Sequence, residues 1–247
     1  MPVWSLFVAF AAMIFFMTST PRAAELTLET SEGRFTVTGH TTAGFALRPA
    51  VLAASGSKGY RSPTYLRLAA DLNAQGIDVF FVHYISDRDA AAFESAKSAR
   101  DRIAYYSNRM AAWTETIHAT VAALRRRAEY RTKIGLLGVS LGAMPTTAAG
   151  ANNPEIDAAV IVDGDFPINF QPRVRSMPPL LLIWGGEDHV FQQSTGIRLR
   201  DFARSLGGEA ELITFPGQGH GFFLEDGNPK ADAARGQVVR FFTDRLK

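Results

Sequence analysis

The chain has 247 residues, 47% of them hydrophobic and 20% charged, enough for one large α/β domain with a sizeable core. Its 26 basic and 24 acidic residues leave a formal charge of +2, which makes no case for nucleic acid or an anionic surface as partner. Cysteine is absent, which excludes a disulfide framework, a thiol nucleophile and a thiolate metal site.

Residues 6–17 form an uncharged apolar run, and 18–24 are small and polar. The pattern is that of a secretory signal peptide, too short to span a bilayer comfortably as a helix. Residues 1–5 lack the usual Lys or Arg, and Pro21 or Arg22 falls where a small residue is preferred before cleavage. An uncleaved anchor or a helix packed on the domain are the alternatives. The expected organisation is a leader or anchor over 1–24 and one domain over 25–247. The expected location is secreted or periplasmic, without stable membrane association once the leader is removed.

The domain opens with alternating apolar and polar residues over 25–29 and 34–38 around Ser31-Glu32-Gly33, a hairpin signal. A short apolar strand over 49–54 runs into the loop 55–59. Residues 65–75 read as an amphipathic helix stopped by Gly76, and 77–84 as a strand buried on both faces. The stretch 87–106 permits helix, but Tyr105-Tyr106-Ser107-Asn108 interrupts it. A stronger helix follows over 113–127, with arginines at its C-terminal end, where cations suit the dipole. Further apolar strands are predicted over 133–139, 158–162, 180–184 and 211–215. Helices are predicted after Ser140, over 199–206 and over 231–246, with 163–179 as loop. Strands alternating with helices predict a mostly parallel sheet covered on both faces. Functional groups in such sheets gather beyond the carboxyl ends of the strands. That rule selects the loops after Ala54, Val139, Trp184 and Phe215.

The loop after Val139 carries the sharpest signal. Gly138-Val139-Ser140-Leu141-Gly142 is a G-x-S-x-G pentapeptide set between an apolar strand and a helix. Such a turn exposes the serine hydroxyl, and the helix start aims free N–H groups at the place where an oxyanion would form. The loop after Trp184 reads G-G-E-D-H-V, and that after Phe215 reads P-G-Q-G-H-G-F. Ser140, Asp188 and His220 thus arrive in the order nucleophile, acid, base, each just past a strand. Asp163 and Asp165 also follow a strand and stand as alternative acids. His189 suits a cavity rim or solvent, His83 a satisfied buried position, and His40 and His118 loop and helix surface. No histidine pairs with carboxylates at metal-ligand spacing, so neither a metal nor another cofactor is expected.

These motifs resemble the α/β-hydrolase fold and, within it, the dienelactone hydrolase family, from about Pro49 to the C-terminus. The marks are G-V-S-L-G, W-G-G-E-D-H-V-F and F-P-G-Q-G-H-G-F-F. Two departures stand out. The family's name-giving enzymes use cysteine where this chain has Ser140, and the common His-Gly of the oxyanion loop is here Ser55-Gly56. The first favours ordinary ester hydrolysis over dienelactone opening. The resemblance implies a serine hydrolase acting on a small-molecule ester through an acyl-enzyme. By position, Leu141 and Ser57 are the expected backbone oxyanion donors. Tyr60, Met144, Phe166, Phe222 and Phe223 are candidates for an apolar acyl or alcohol pocket, with core packing the alternative for each. A peptidase or amidase, an acyltransferase, and a non-catalytic binding protein keeping the fold are the alternatives. Neither the substrate nor the oligomeric state is legible.

Overall fold

A computed structural model describes residues 22–42 and 47–247. The expected leader, apart from its last three residues, lies outside them. Eight strands build one sheet in the order β1-β2-β4-β3-β5-β6-β7-β8. The hairpin of β1 (Arg22–Thr30) and β2 (Gly33–Thr41) is antiparallel and longer than predicted, and β2 pairs antiparallel with β4 (Asp78–Val82). The last residues of the expected leader take part, Arg22 to Ala24 pairing with Thr41 to Gly39. From β4 onward every pairing is parallel: β3 (Ala50–Ala54), β5 (Ile134–Val139), β6 (Ala158–Val162), β7 (Leu180–Gly185) and β8 (Ala210–Phe215).

The apolar, non-alternating strands explain the layering. Side chains along one strand point to opposite faces, so a run such as Ile134 to Val139 feeds both. Leu52, Leu136 and Ile161 enter a core beneath α3 (Ala99–Arg125), α4 (Ala143–Gly150) and α5 (Gln193–Ser205). Val51, Leu137 and Val160 enter a second core beneath α1 (Thr64–Ala74) and α6 (Pro229–Leu246). The register matters for function. Ala54 stands beside Gly138, Val139 beside Val162, Val162 beside Ile183, and Gly185 beside Phe215. Five strands therefore end at one level, and the segments after them open onto one shared edge.

Two helices depart from expectation. The interruption predicted at Tyr105–Asn108 does not occur there. The break falls at Ala96-Lys97-Ser98, between α2 (Asp87–Ser95) and the 27-residue α3. Ser98 caps α3 by accepting the Asp101 N–H. The weak helix formers that follow are held by tertiary contacts, which override propensity. Tyr105 donates its hydroxyl to buried Asp89 at 2.8 Å, and Tyr106 packs edge-on against Phe93. Asp89 gathers the whole corner. It caps α2 with Ser86 and accepts from Arg109 Nε at 2.9 Å and Trp113 Nε1 at 3.3 Å. The second departure is α5, which starts at Gln193 rather than at 199. Gly196 lies inside it, and a Cβ there would stand 2.7 Å from the Trp184 ring. The glycine lets the helix lie flat on the indole.

Replacing Asp89 with alanine is expected to lower unfolding free energy by about 3 kcal/mol, because a buried guanidinium contact and an indole N–H lose their acceptor. Urea unfolding measures this, and an unchanged midpoint would show that α2 and α3 hold without the hub.

Candidate active site

The elbow follows from crowding. Ser140 has φ of 52°, a left-handed conformation that costs a non-glycine residue strain. A Cβ on Gly138 would lie 2.6 Å from Ala143 Cα, and one on Gly142 would lie 2.4 Å from the Ala54 carbonyl oxygen. Only hydrogen fits at either place, so the chain can reverse from β5 into α4 while pressed against the end of β3.

The loop after β3 is braced by three tyrosines. Tyr60 donates to the carbonyls of Ala53 and Val82, Tyr84 donates to that of Ser55 at 2.6 Å, and the Tyr65 oxygen accepts the Gly56 N–H at 3.1 Å. Gly56 N–H is thereby occupied. Ser57, the next residue, lines the cavity beside Ser140 and Leu141, where both expected backbone donors stand.

Ser140 Oγ lies 2.8 Å from His220 Nε2, and His220 Nδ1 lies 2.8 Å from Asp188 Oδ2. The other Asp188 oxygen accepts the backbone N–H groups of Val190 and Phe191 at 2.7 and 2.9 Å. The carboxylate is thus fixed by its own loop while it faces the imidazole. The three side chains predicted from the motif order are brought into one hydrogen-bonded line.

Asp163 occupies a different place. It is fully buried, also has positive φ, and sits beside the pair without touching the imidazole nitrogens. Its Oδ1 accepts the Gly185 N–H at 3.0 Å and its Oδ2 the Gly221 N–H at 3.2 Å. It ties the start of the acid loop to the residue after His220. Burial pushes its pKa up to about 6, and the nearby Asp188 charge adds to the rise. For His220, burial alone would lower the pKa. The hydrogen bond and charge of Asp188, with the charge of Asp163, outweigh burial and raise it above 6.5. Atoms of Asp163, Asp188 and His220 lie within 4.8 Å of one another, close enough to suggest a cation cage. Each carboxylate oxygen faces an N–H, and the two ring nitrogens face the Asp188 carboxylate and the Ser140 hydroxyl, so the cluster reads as hydrogen-bonded rather than as a ligand set.

A cavity of about 520 Å³ opens over Ser140 and His220. Met144 and Phe166 line it, as expected from the sequence. Tyr60 and Phe222 do not. Tyr60 stacks on Phe81 and spends its hydroxyl on the carbonyls of Ala53 in β3 and Val82 in β4; Phe222 is fully buried against Phe215 beneath α6. Both are apolar enough to choose the core over the cavity. Asp165 lines the cavity and accepts its neighbour Phe166's N–H at 2.8 Å, far from any acid role. His189 is exposed and His118 sits on the surface of α3. His83, expected in the core, is exposed and meets Thr38 Oγ1 at 2.9 Å, because it stands past the end of β4. His40, expected in a loop, lies in β2 against Phe81.

Several lining residues escaped the sequence reading. Val190 and Phe191 are the last two residues of the W-G-G-E-D-H-V-F stretch, and the Phe191 carbonyl is pinned by Trp184 Nε1 at 2.8 Å. Ile103, Ser107 and Met110 share one face of α3 at helical spacing, a signal hidden by the break expected at 105–108.

Fold and site together define an α/β-hydrolase. The chain belongs to the dienelactone hydrolase family, whose model matches residues 41–247. No curated protein matches it by sequence. Among solved structures, a dienelactone hydrolase from Klebsiella pneumoniae superposes with a TM-score of 0.74 at 15% identity, covering 90% of this chain and 98% of that one. Carboxyl esterase 2 from Tuber melanosporum gives 0.70 at 17% identity, covering 94% and 90%. The acylaminoacyl peptidase from Pyrococcus horikoshii gives 0.73 at 16%, covering 95% of this chain but 43% of that one. At such identities these likenesses show the fold.

The His220 imidazole is expected to titrate above 6.5 by NMR, and Asp188→Asn to bring the midpoint down, since burial then meets less opposition. A midpoint unchanged by the substitution would mean that Asp188 does not set the charge of His220.

Proposed function

We propose that the protein hydrolyses carboxylic esters through Ser140, His220 and Asp188. The observation that carries this reading is the line Ser140 Oγ–His220 Nε2 and His220 Nδ1–Asp188, with both contacts at 2.8 Å, at the floor of a largely apolar cavity. Ser140 Oγ attacks the ester carbonyl as its proton passes to His220 Nε2. Asp188 keeps Nδ1 protonated and balances the imidazolium that forms. The oxyanion of the tetrahedral adduct is met by the backbone N–H groups of Leu141 and Ser57. Collapse breaks the bond to the alcohol oxygen, which leaves with the proton returned by His220. Water then attacks the acyl-enzyme by the same route, releasing the acid and restoring Ser140.

The ester reading is preferred to the peptidase one. The acylaminoacyl peptidase is matched over 43% of its own length, so the likeness to it speaks for the shared fold and not for a peptidase activity. The apolar run over residues 6–17 supports a companion proposal, that the protein is exported. Sequencing the N-terminus of protein recovered from outside the cytoplasm tests it; a full-length chain confined to the cytoplasm would overturn it.

Ser140→Ala is expected to lower kcat on an aryl ester by about 10⁴–10⁶ and to abolish labelling by a fluorophosphonate, with melting little changed. Full turnover in the purified variant would remove Ser140 from the reaction. An unlabelled wild type would favour a binding protein.

For the acid, Asp188→Asn should cost about 10⁴ in kcat, because the imidazole loses its tautomer guide. Asp163→Asn should cost about tenfold or less, since it loosens two loops without touching a ring nitrogen. The reverse ranking would move the acid role to the end of β6.

A further inference from the structure

A second cavity, also about 520 Å³, abuts the one over Ser140; Ser107, Met110 and Pro167 line both. The seam between α3 and α4 forms its floor. On α4, Met144 faces the first cavity, while Ala148, one turn on, and Ala151, just past the helix end, face the second. On α3, Ile103 and Tyr106 face the first, and Ala111 and Thr114 the second. Pro167, Phe170 and Pro172, from the segment after β6, complete the wall. The two cavities are therefore successive stretches of one trough. The alanines leave room along its floor where larger side chains would fill it. The lining also carries Glu115, engaged by Ser31 through contacts of 3.0 and 2.6 Å, and His118, whose Nε2 meets the Ala149 carbonyl at 3.2 Å.

The chemistry orients a substrate in this trough. His220 must reach the leaving oxygen, so the alcohol lies on the imidazole's side, where the Phe191 ring stands 6.0 Å away. The acyl group points the other way, towards Met144 and the helix seam. From Met144 to Ala151 is seven residues of helix, roughly 10 Å at about 1.5 Å per residue, or the length of about eight methylenes.

Resting on the ester reading above, we propose that the second cavity is an acyl-tail site, and that the preferred substrates are esters of unbranched saturated acids of about eight to ten carbons. Burial of each methylene supports up to about fourfold in kcat/KM.

The test compares p-nitrophenyl acetate, butyrate, octanoate and decanoate, each kept below its solubility limit. Wild type is expected to favour octanoate over acetate by about tenfold or more in kcat/KM. Ala111→Trp, at an exposed helix position that tolerates a large side chain, and Ala151→Trp should each cut that ratio by about fivefold or more. Circular dichroism and melting establish that both variants fold. Turnover of acetate with no gain through octanoate would overturn the tail site and leave the ester reading intact. So would two folded tryptophan variants that keep the wild-type ratio. Failure to cleave any of the four, acetate included, would overturn the ester reading and this inference with it.

Discussion

The turn at Ser140 is the constraint on which the rest depends. A non-glycine residue at φ of 52° is tolerated because the surroundings leave it no alternative. Gly138 and Gly142 give the turn room, and the contact of Gly142 with the end of β3 brings a second loop against the serine. One steric fact thus exposes the hydroxyl and sets the spacing between the two expected oxyanion donors. The parallel register does the remainder. Because five strands finish at one level, the histidine and aspartate loops meet over the elbow without long excursions.

Rigidity around the site comes from polar groups placed in apolar surroundings. Three tyrosine hydroxyls hold the loop after β3 and the strand ends beside it, each matched to a backbone carbonyl or N–H. Asp163 does the same for the acid and base loops, and Asp89 for the corner that carries α3 past the cavity. These groups do not line the cavity over Ser140. They fix the loops that do, which is how a site built largely on connections keeps its geometry.

Much of this was legible in the sequence because the signals are local. The alternation of apolar strands with helices, the glycine-flanked serine, and the two Gly-rich loops each depend on a few neighbouring residues. What escaped is long-range. Tyr105–Asn108 reads as a break because its residues are weak helix formers, and only Asp89, some twenty residues away, makes helix the better state. The first turn of α5, before residue 199, rests on the fit of Gly196 over the Trp184 ring, which no local pattern shows. Tyr60 and Phe222 sit near the right motifs, but whether an aromatic ring faces a cavity or a core depends on the helix packed over it. The cavity wall on α3 was hidden for the same reason as the helix itself.

The buried cluster of Asp163, Asp188 and His220 has a thermodynamic corollary. Two of its members hold a proton more tightly in the folded chain than a solvated group would: Asp163 through burial, and His220 through its carboxylate partners. At these two groups the folded state therefore binds more protons than the unfolded one across mildly acidic pH, and their contribution to stability declines as pH rises. The penalty for ionising Asp163 grows from its ordinary value near 3.8 to about 6 and then levels off. The contribution of His220 is complete below 6.5 and fades as the pH passes its raised folded value. In the proposed reaction, loss of that same proton frees Nε2 to act as a base. At this cluster, the acidity that favours the fold most is one at which His220 is protonated, and readiness for the proposed chemistry is gained as that contribution to stability is given up.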